Sequence, residues 1–292
     1  MYDTIIIGNG PAGVSASLYI RRAGFKVLIL SKNQGALVKA EKIDNYYGFE
    51  NTISGKELLE NGTKQAKRLG VEVLNREVIS IKYNEENFEV IVANQSPNEK
   101  YIAKTIVIAT GANRNKPSIK GTKEFEGKGI SYCAVCDAFF YRNKDVAVLG
   151  NGDYALGEIE ELLPVVKSVT MLTDGKDYVE NRDISEKVNI NTKYIEEFRG
   201  TDKIEEIEFK DKSTQKVNGI FIVLGVANSL DFAQKLGARV ENGNIVVNDN
   251  METTVKKVYA CGDCTGGILQ ISKAVYEGTK AGLAIINRLR SK

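Results

Sequence analysis

An α/β fold of two Rossmann-like units, each a three-layer ββα dinucleotide-binding domain with the second inserted into the first, is what the 292-residue sequence predicts. Three observations carry that expectation. A β-branched run, Thr4-Ile5-Ile6-Ile7, leads into Gly8-Asn9-Gly10-Pro11-Ala12-Gly13 and an apolar stretch at helical spacing, Val14 to Ala23. The same grammar recurs at Asp145 to Leu149, Gly150-Asn151-Gly152-Asp153-Tyr154-Ala155 and a helix-like stretch to Leu163. Late in the chain, Glu241-Asn242-Gly243-Asn244 reads as a hairpin turn that opens a return to the first unit.

The elements follow in order. Lys26 to Leu30 closes the first βαβ unit, Glu57 to Leu69 has the spacing of an amphipathic helix, and Val71 to Val92 reads as strands broken at Asn84-Glu85-Glu86-Asn87. Lys104 to Gly111 is a buried strand ending in a small-residue turn. Arg114 to Pro117 is the only Pro-marked linker and sets the first junction. Ser168 to Leu172 and Ile220 to Gly225 supply strands of the second unit; Val258-Tyr259-Ala260, Gly262-Asp263 and a helix from about Gln270 to Arg290 finish the first. The expected division is residues 1–114 and 240–292 for the first domain and 115–239 for the inserted one.

Composition narrows the chemistry. There is no His, so imidazole-dependent nucleophiles and His-ligated metals are excluded. With Lys+Arg 40 against Asp+Glu 38, the net charge of +2 makes no case for nucleic acid or an acidic membrane surface. Apolar runs fall far below the roughly 18 residues of a membrane span, and Met1 leads directly into a strand, so a cytoplasmic protein is expected. In a reducing compartment four Cys are not expected to be structural disulfides, and their spacing becomes informative.

Gly8, Gly10 and Gly13 stand between a strand and a helix, where a tight turn lets backbone approach a pyrophosphate. The strand that follows ends at Leu30-Ser31-Lys32 without the carboxylate that would hold a ribose. Cys133-Ala134-Val135-Cys136-Asp137 can cycle between dithiol and disulfide, with Asp137 the adjacent group able to move a proton. Half of a zinc site is the rival reading, and it fails on spacing, so no metal is expected. Cys261-Gly262-Asp263-Cys264 reads first as two small buried hydrophobes, with a second redox pair as the sharper alternative.

Taken in order, Gly8-Asn9-Gly10-Pro11-Ala12-Gly13, Ala109-Thr110-Gly111, Cys133 to Tyr141 and Gly262-Asp263 resemble the low-molecular-weight thioredoxin reductases, over essentially the whole chain. That resemblance implies the fold of the FAD/NAD(P)-linked disulfide reductases and a flavoprotein enzyme. It implies that Gly8, Gly10, Pro11, Ala12, Gly13, Asn45, Thr110, Gly111, Asp263, Gln270 and Ile271 cradle FAD. It implies further that Cys136 faces the flavin, Cys133 attacks thioredoxin, Asp137 is the general acid, and Phe139 and Phe140 line the docking surface, with simple core packing as the rival reading of those two aromatics. A homodimer is also implied; and because the cysteine pair cannot face both flavin and protein substrate at once, rotation of the inserted domain about linkers near Arg114 to Pro117 and Gly237 to Asn242 is expected.

One departure bears on the electron donor. NADPH-using members carry a His-Arg-Arg segment after the second glycine motif, whereas this chain has Leu172-Thr173-Asp174-Gly175-Lys176, with an acid where a 2′-phosphate would lie. Asp174 instead stands near the spacing of an acid that holds the ribose of NADH. Tyr154 beside Ala155 and a short segment after Asp174 point to a vestigial nucleotide site. The chain thus resembles the pyridine-nucleotide-independent, clostridial-type branch, with ferredoxin as expected donor. The alternatives are an NADH-dependent reductase, a dithiol oxidase passing electrons to oxygen, and a flavin-bound redox sensor.

Overall fold

A computed structural model of the chain describes every residue except 33–34, 94–98, 112–116, 180–187, 226 and 292, and the side chains of 135–136. In chain order the strands are β1 (Tyr2–Ile7), β2 (Val27–Ser31), β3 (Glu72–Asn75), β4 (Val78–Tyr83), β5 (Phe88–Val92), β6 (Lys100–Ile108), β7 (Ile130–Ser131), β8 (Asp145–Leu149) and β9 (Ser168–Leu172). They continue with β10 (Val188–Asn191), β11 (Ile195–Gly200), β12 (Ile204–Phe209), β13 (Thr214–Lys216), β14 (Gly219–Ile222), β15 (Val240–Glu241), β16 (Asn244–Ile245) and β17 (Val258–Ala260). The helices are α1 (Pro11–Arg22), α2 (Gly55–Arg68), α3 (Ala134–Asp137), α4 (Asp153–Leu162), α5 (Ser229–Lys235) and α6 (Ile271–Arg290).

The chain divides into two compact units: Met1–Val92, Asn98–Asn113 and Asn228–Lys292 form one, and Ala93–Pro97 with Arg114–Ala227 form the other. In the first, the sheet order is β3-β2-β1-β6-β5-β4, with β17 also on β6. Strands β1, β2, β3, β6 and β17 run parallel, and Ile5, Ile6, Leu28, Ile29, Ile106 and Ile108 are fully buried, as expected of a parallel sheet covered on both faces. Length is the useful property of β6. Strand β5 pairs antiparallel with Lys100 to Ala103, and β17 pairs with Ile106 to Ile108, so three strand ends meet where β6 stops. Helices α1 and α6 cover this sheet in close contact, with Ser15 donating from its hydroxyl to the Val275 carbonyl at 2.9 Å. The expected break in Val71 to Val92 is the β4–β5 turn, where Asn84 Oδ1 accepts from the Asn87 amide at 2.9 Å.

The second unit holds a parallel sheet ordered β10-β9-β8-β14-β7 and an antiparallel meander, β11-β12-β13. Phe125, Leu149, Phe198, Ile207, Phe209 and Ile220 pack between them in one core. The first junction expected from sequence falls on Arg114 to Pro117, of which only Pro117 is a described residue.

The return to the first unit comes earlier than turn signals indicate, between Ala227 and Asn228 and not at 239/240. Asn228 starts α5 with a capping box: its side chain accepts from the Leu230 and Asp231 amides, and Asp231 accepts from the Asn228 amide at 2.9 Å. The Ser229 hydroxyl donates to the Gly111 carbonyl at 2.7 Å, while Phe232 and Ala233 are buried. The glycine read as a linker, Gly237, simply ends this helix, with its amide bonded to the Gln234 carbonyl. No helix among the described residues is long and apolar enough to cross a membrane.

Candidate active site

The first glycine turn is built against the end of β6. Gly8 has φ +112°, and a Cβ there would lie 2.2 Å from the Ala109 carbonyl oxygen; one on Gly13 would lie 2.1 Å from that of Gly8. Around Gly10, by contrast, nothing lies within 4 Å of an added Cβ. Gly10 is the N-cap of α1, has no side chain to cap it, and is followed by Pro11 and Ala12 in the first helical turn. Its unengaged amides and the helix dipole suit a pyrophosphate.

Two buried polar atoms beside this turn, Asn9 Oδ1 and Thr110 Oγ1, have no partner among the described residues. A bound group rich in hydroxyls and phosphate oxygens would satisfy them. Gly262 reaches the same place from β17, since a Cβ on it would come 3.0 Å from Ala12 Cβ. The turn it begins, which carries Asp263, is held by α6: Lys273 Nζ donates to the carbonyls of Gly262 at 2.8 Å and Gly266 at 2.5 Å, and Glu277 Oε2 accepts the Gly262 amide at 2.8 Å. Ile271 opens α6, and Gln270 before it accepts from Asn45 Nδ2 at 3.4 Å, joining two expected cofactor residues far apart in sequence. Gly8, Gly10, Pro11, Ala12, Gly13, Thr110, Gly111 and Asp263 thus collect at the ends of β1, β6 and β17, and the residues present fit a flavin dinucleotide.

The thiol group is built in the other unit, between β7 and β8. Cys133 is buried and disulfide-bonded. Cys136 lies in α3, and its side chain is outside the described ones. Asp137 ends α3, and its Oδ2 accepts from the Ser131 hydroxyl at 2.6 Å, while the Ser131 oxygen accepts the Cys133 amide at 3.1 Å. One small hydroxyl therefore fixes the acid relative to the cysteine backbone. Burial, and then the charge of Asp137, push Tyr141 above its ordinary value. Phe139 and Phe140 follow directly and are exposed, at 70% and 69%. Sequence reasoning did not single out Ser131; a hydroxyl two residues before a Cys is the only local signal.

The other cysteines behave differently. Cys261 and Cys264 are free and buried, and burial pushes both thiols up, Cys264 to about 12. Cys261 packs among Ile6, Val107, Tyr259 and Ile285, which fits the small-hydrophobe reading.

Around the second glycine turn the chain has folded back on itself. Asn151, its middle residue, donates from Nδ2 to the Asp177 carbonyl at 2.6 Å and accepts the Val179 amide on its own carbonyl at 3.1 Å. Asp174 Oδ1 accepts the Ile195 amide at 2.8 Å. The Tyr194 ring lies against Gly175, where an added Cβ would be 2.2 Å from it.

Residues 2–278 match the family model described as pyridine nucleotide-disulphide oxidoreductase. The chain is 36% identical over 308 residues to a thioredoxin reductase of Aquifex aeolicus, covering 100% of this chain and 94% of that protein. The chain belongs to the thioredoxin reductase family. The Bacillus subtilis thioredoxin reductase is 33% identical over 304 residues, 98% of this chain and 94% of that one. Among solved structures, an atypical thioredoxin reductase from Desulfovibrio vulgaris Hildenborough matches all of both chains with TM-score 0.89 and 34% identity. A ferredoxin-flavin thioredoxin reductase from Clostridium acetobutylicum matches with TM-score 0.69 and 32% identity over 100% of this chain and 99% of that one. Thioredoxin reductases of this family are FAD flavoproteins, so this reductase is an oxidoreductase that acts on sulfur groups with FAD as cofactor.

Proposed function

We propose that this thioredoxin reductase takes its electrons from reduced ferredoxin and passes them through a Cys133–Cys136 disulfide to thioredoxin. The observation that carries the donor assignment is the pairing of Asn151 with Asp177 and Val179, which lays the reductase's own backbone against the second glycine turn. A nicotinamide dinucleotide would need that surface for its pyrophosphate. The carboxylate that could hold an NADH ribose, Asp174, is already bonded to the Ile195 amide. The likeness to a reductase described as ferredoxin-flavin supports the same reading.

FAD, when bound, supplies the ability to collect electrons singly and deliver them in pairs. The Gly8–Gly13 turn, Thr110, Gly111, Asn45, Asp263, Gln270 and Ile271 would hold it. Two electrons arriving at the Cys133–Cys136 bond break it; Asp137, held by Ser131, protonates a departing thiolate. The Cys133 thiolate attacks the thioredoxin disulfide, forming a mixed disulfide and releasing one thioredoxin thiol. Cys136 then attacks Cys133, re-forms the first disulfide and frees the second thiol. Phe139 and Phe140, exposed beside this pair, offer the apolar surface on which thioredoxin docks.

Anaerobic mixing of the yellow holoenzyme with NADH, NADPH and reduced ferredoxin in parallel tests the donor. Ferredoxin is expected to bleach the flavin and support thioredoxin reduction; bleaching by either nucleotide at micromolar concentration would overturn the assignment.

A further inference from the structure

Between α3 and β8, the segment from Phe139 to Lys144 carries two exposed rings and two exposed cations, Arg142 and Lys144. A type II turn shapes it: Arg142 has φ -52° and ψ 129°, Asn143 has φ 54°, and the Lys144 amide donates to the Tyr141 carbonyl at 3.0 Å. The turn is fastened to the body of the unit. Asn143 donates its amide to the Val165 carbonyl at 3.1 Å, the Lys144 carbonyl accepts the Lys167 amide at 2.9 Å, and the Tyr141 ring stands edge-on to buried Phe221, 5.3 Å between centroids. Both cations are thereby held against the aromatic stretch. The Arg142 guanidinium carbon lies 5.2 Å from the centre of the Phe139 ring, and Lys144 Nζ donates to the Phe140 carbonyl at 3.0 Å.

Among the described residues neither cation meets a carboxylate. The acids that flank the segment in sequence are engaged elsewhere: Asp137 accepts from the Ser131 hydroxyl, and Asp145 from the Ser168 hydroxyl and Lys167 Nζ. Two positive charges of fixed direction therefore stand uncompensated around an exposed apolar pair. Holding an arginine on a ring and a lysine on a backbone carbonyl removes side-chain freedom before a partner arrives, which lowers the cost of docking. We propose that Arg142 and Lys144 are specificity-determining residues for the protein substrate: they select a thioredoxin that presents carboxylates beside its own disulfide. The rings supply apolar contact, and the cations supply encounter rate and discrimination. A thioredoxin with positive charge at the same place is held off. The proposal rests on reading thioredoxin as the protein that docks on Phe139 and Phe140.

The test mixes anaerobic, photoreduced holoenzyme with an oxidised thioredoxin of net negative charge and follows reoxidation of the flavin, so the result does not depend on the electron donor. For the wild type the second-order rate constant is expected to fall about tenfold between ~0.02 and ~0.3 M salt. With Arg142→Gln and Lys144→Gln combined it should start about tenfold lower and change no more than about twofold over that range. The loss should lie in the half-saturating thioredoxin concentration and not in the limiting rate. Arg142→Lys, which keeps the charge, should retain the wild-type salt dependence. Changing the acids beside the thioredoxin disulfide to amides should cost the wild type the same tenfold, and cost the double variant nothing further. Coincident salt plots for the wild type and the double variant would overturn the proposal, as would a loss confined to the limiting rate. Wild-type flavin that small disulfides reoxidise and thioredoxin does not would instead overturn the docking reading beneath it.

Discussion

Each unit of this reductase contains a glycine turn after a parallel strand and a CxxC sequence, and the two units build them in opposite ways. In the first, nothing lies within 4 Å of a Cβ added at Gly10, Asn9 Oδ1 and Thr110 Oγ1 have no partner among the described residues, and the cysteines are free, packed and held protonated. In the second, the turn is covered by residues 177 and 179, while Cys133 is in a disulfide beside a fixed carboxylate. A shared βαβ grammar therefore says where a dinucleotide could bind and not whether it does. What decides is the segment after the second strand and the polar partners it meets.

The sharpest way to break this division is at the cysteines. Cys133→Ser is expected to reduce thioredoxin turnover to background while the protein stays yellow, whereas Cys261→Ser with Cys264→Ser keeps most of the turnover. Substantial turnover by the first variant, or its loss in the second, would reverse the roles of the two pairs. Next in size is a contrast between the glycine turns. Gly13→Ala places a methyl 2.1 Å from the Gly8 carbonyl oxygen, whereas Gly152→Ala meets nothing within 4 Å. Flavin affinity, read by absorbance after gel filtration, should fall about hundredfold, or ~2.7 kcal/mol, in Gly13→Ala. Gly152→Ala should match the wild type in both flavin content and turnover.

A smaller effect sharpens the contrast between thiols. Burial pushes Cys264 from the ordinary 9.0 up to about 12. Between those values the unfolded thiol has lost its proton while the folded one keeps it, so the native state binds more protons and stability falls as pH rises. The stabilisation is complete below the lower value and is lost progressively above it, at most about 1.4 kcal/mol per pH unit. Urea midpoints taken at pH about 8 and about 11 should separate more for the wild type than for Cys264→Ala. Equal separations would mean that this thiol does not carry the dependence.

Much of this organisation is legible in the sequence, because buried parallel strands write themselves as β-branched runs: Thr4 to Ile7, Asp145 to Leu149 and Val258 to Ala260 all fall on strands. The glycine turns between strand and helix are equally plain. The meander is harder to read, since a register shift between Ile195 and Glu197 breaks the alternation that would mark β11. Hidden altogether are contacts that small polar groups make across the fold. Asn151 with Val179, Ser131 with Asp137, and Glu158 with Ala134 have no periodicity, and any one residue of each pair looks like ordinary surface or helix. Gly237 misled for the opposite reason: a glycine that ends a helix and one that starts a linker look alike until packing is known.

The length of β6 also imposes an order on assembly. Its second half waits for β17, and Arg114–Ala227 of the inserted unit is synthesised between them. The unit that begins the chain is thus the last whose sheet can close, whereas the inserted one has all its strands beforehand. A protease pulse during refolding should find β7 to β14 resistant while Met1–Val92 is still cut; simultaneous protection of both would mean that they fold as one. The proposed flavin cradle, where β1, β6 and β17 end, then comes into being only with the last strand of the chain, and the appearance of yellow colour should mark the end of folding.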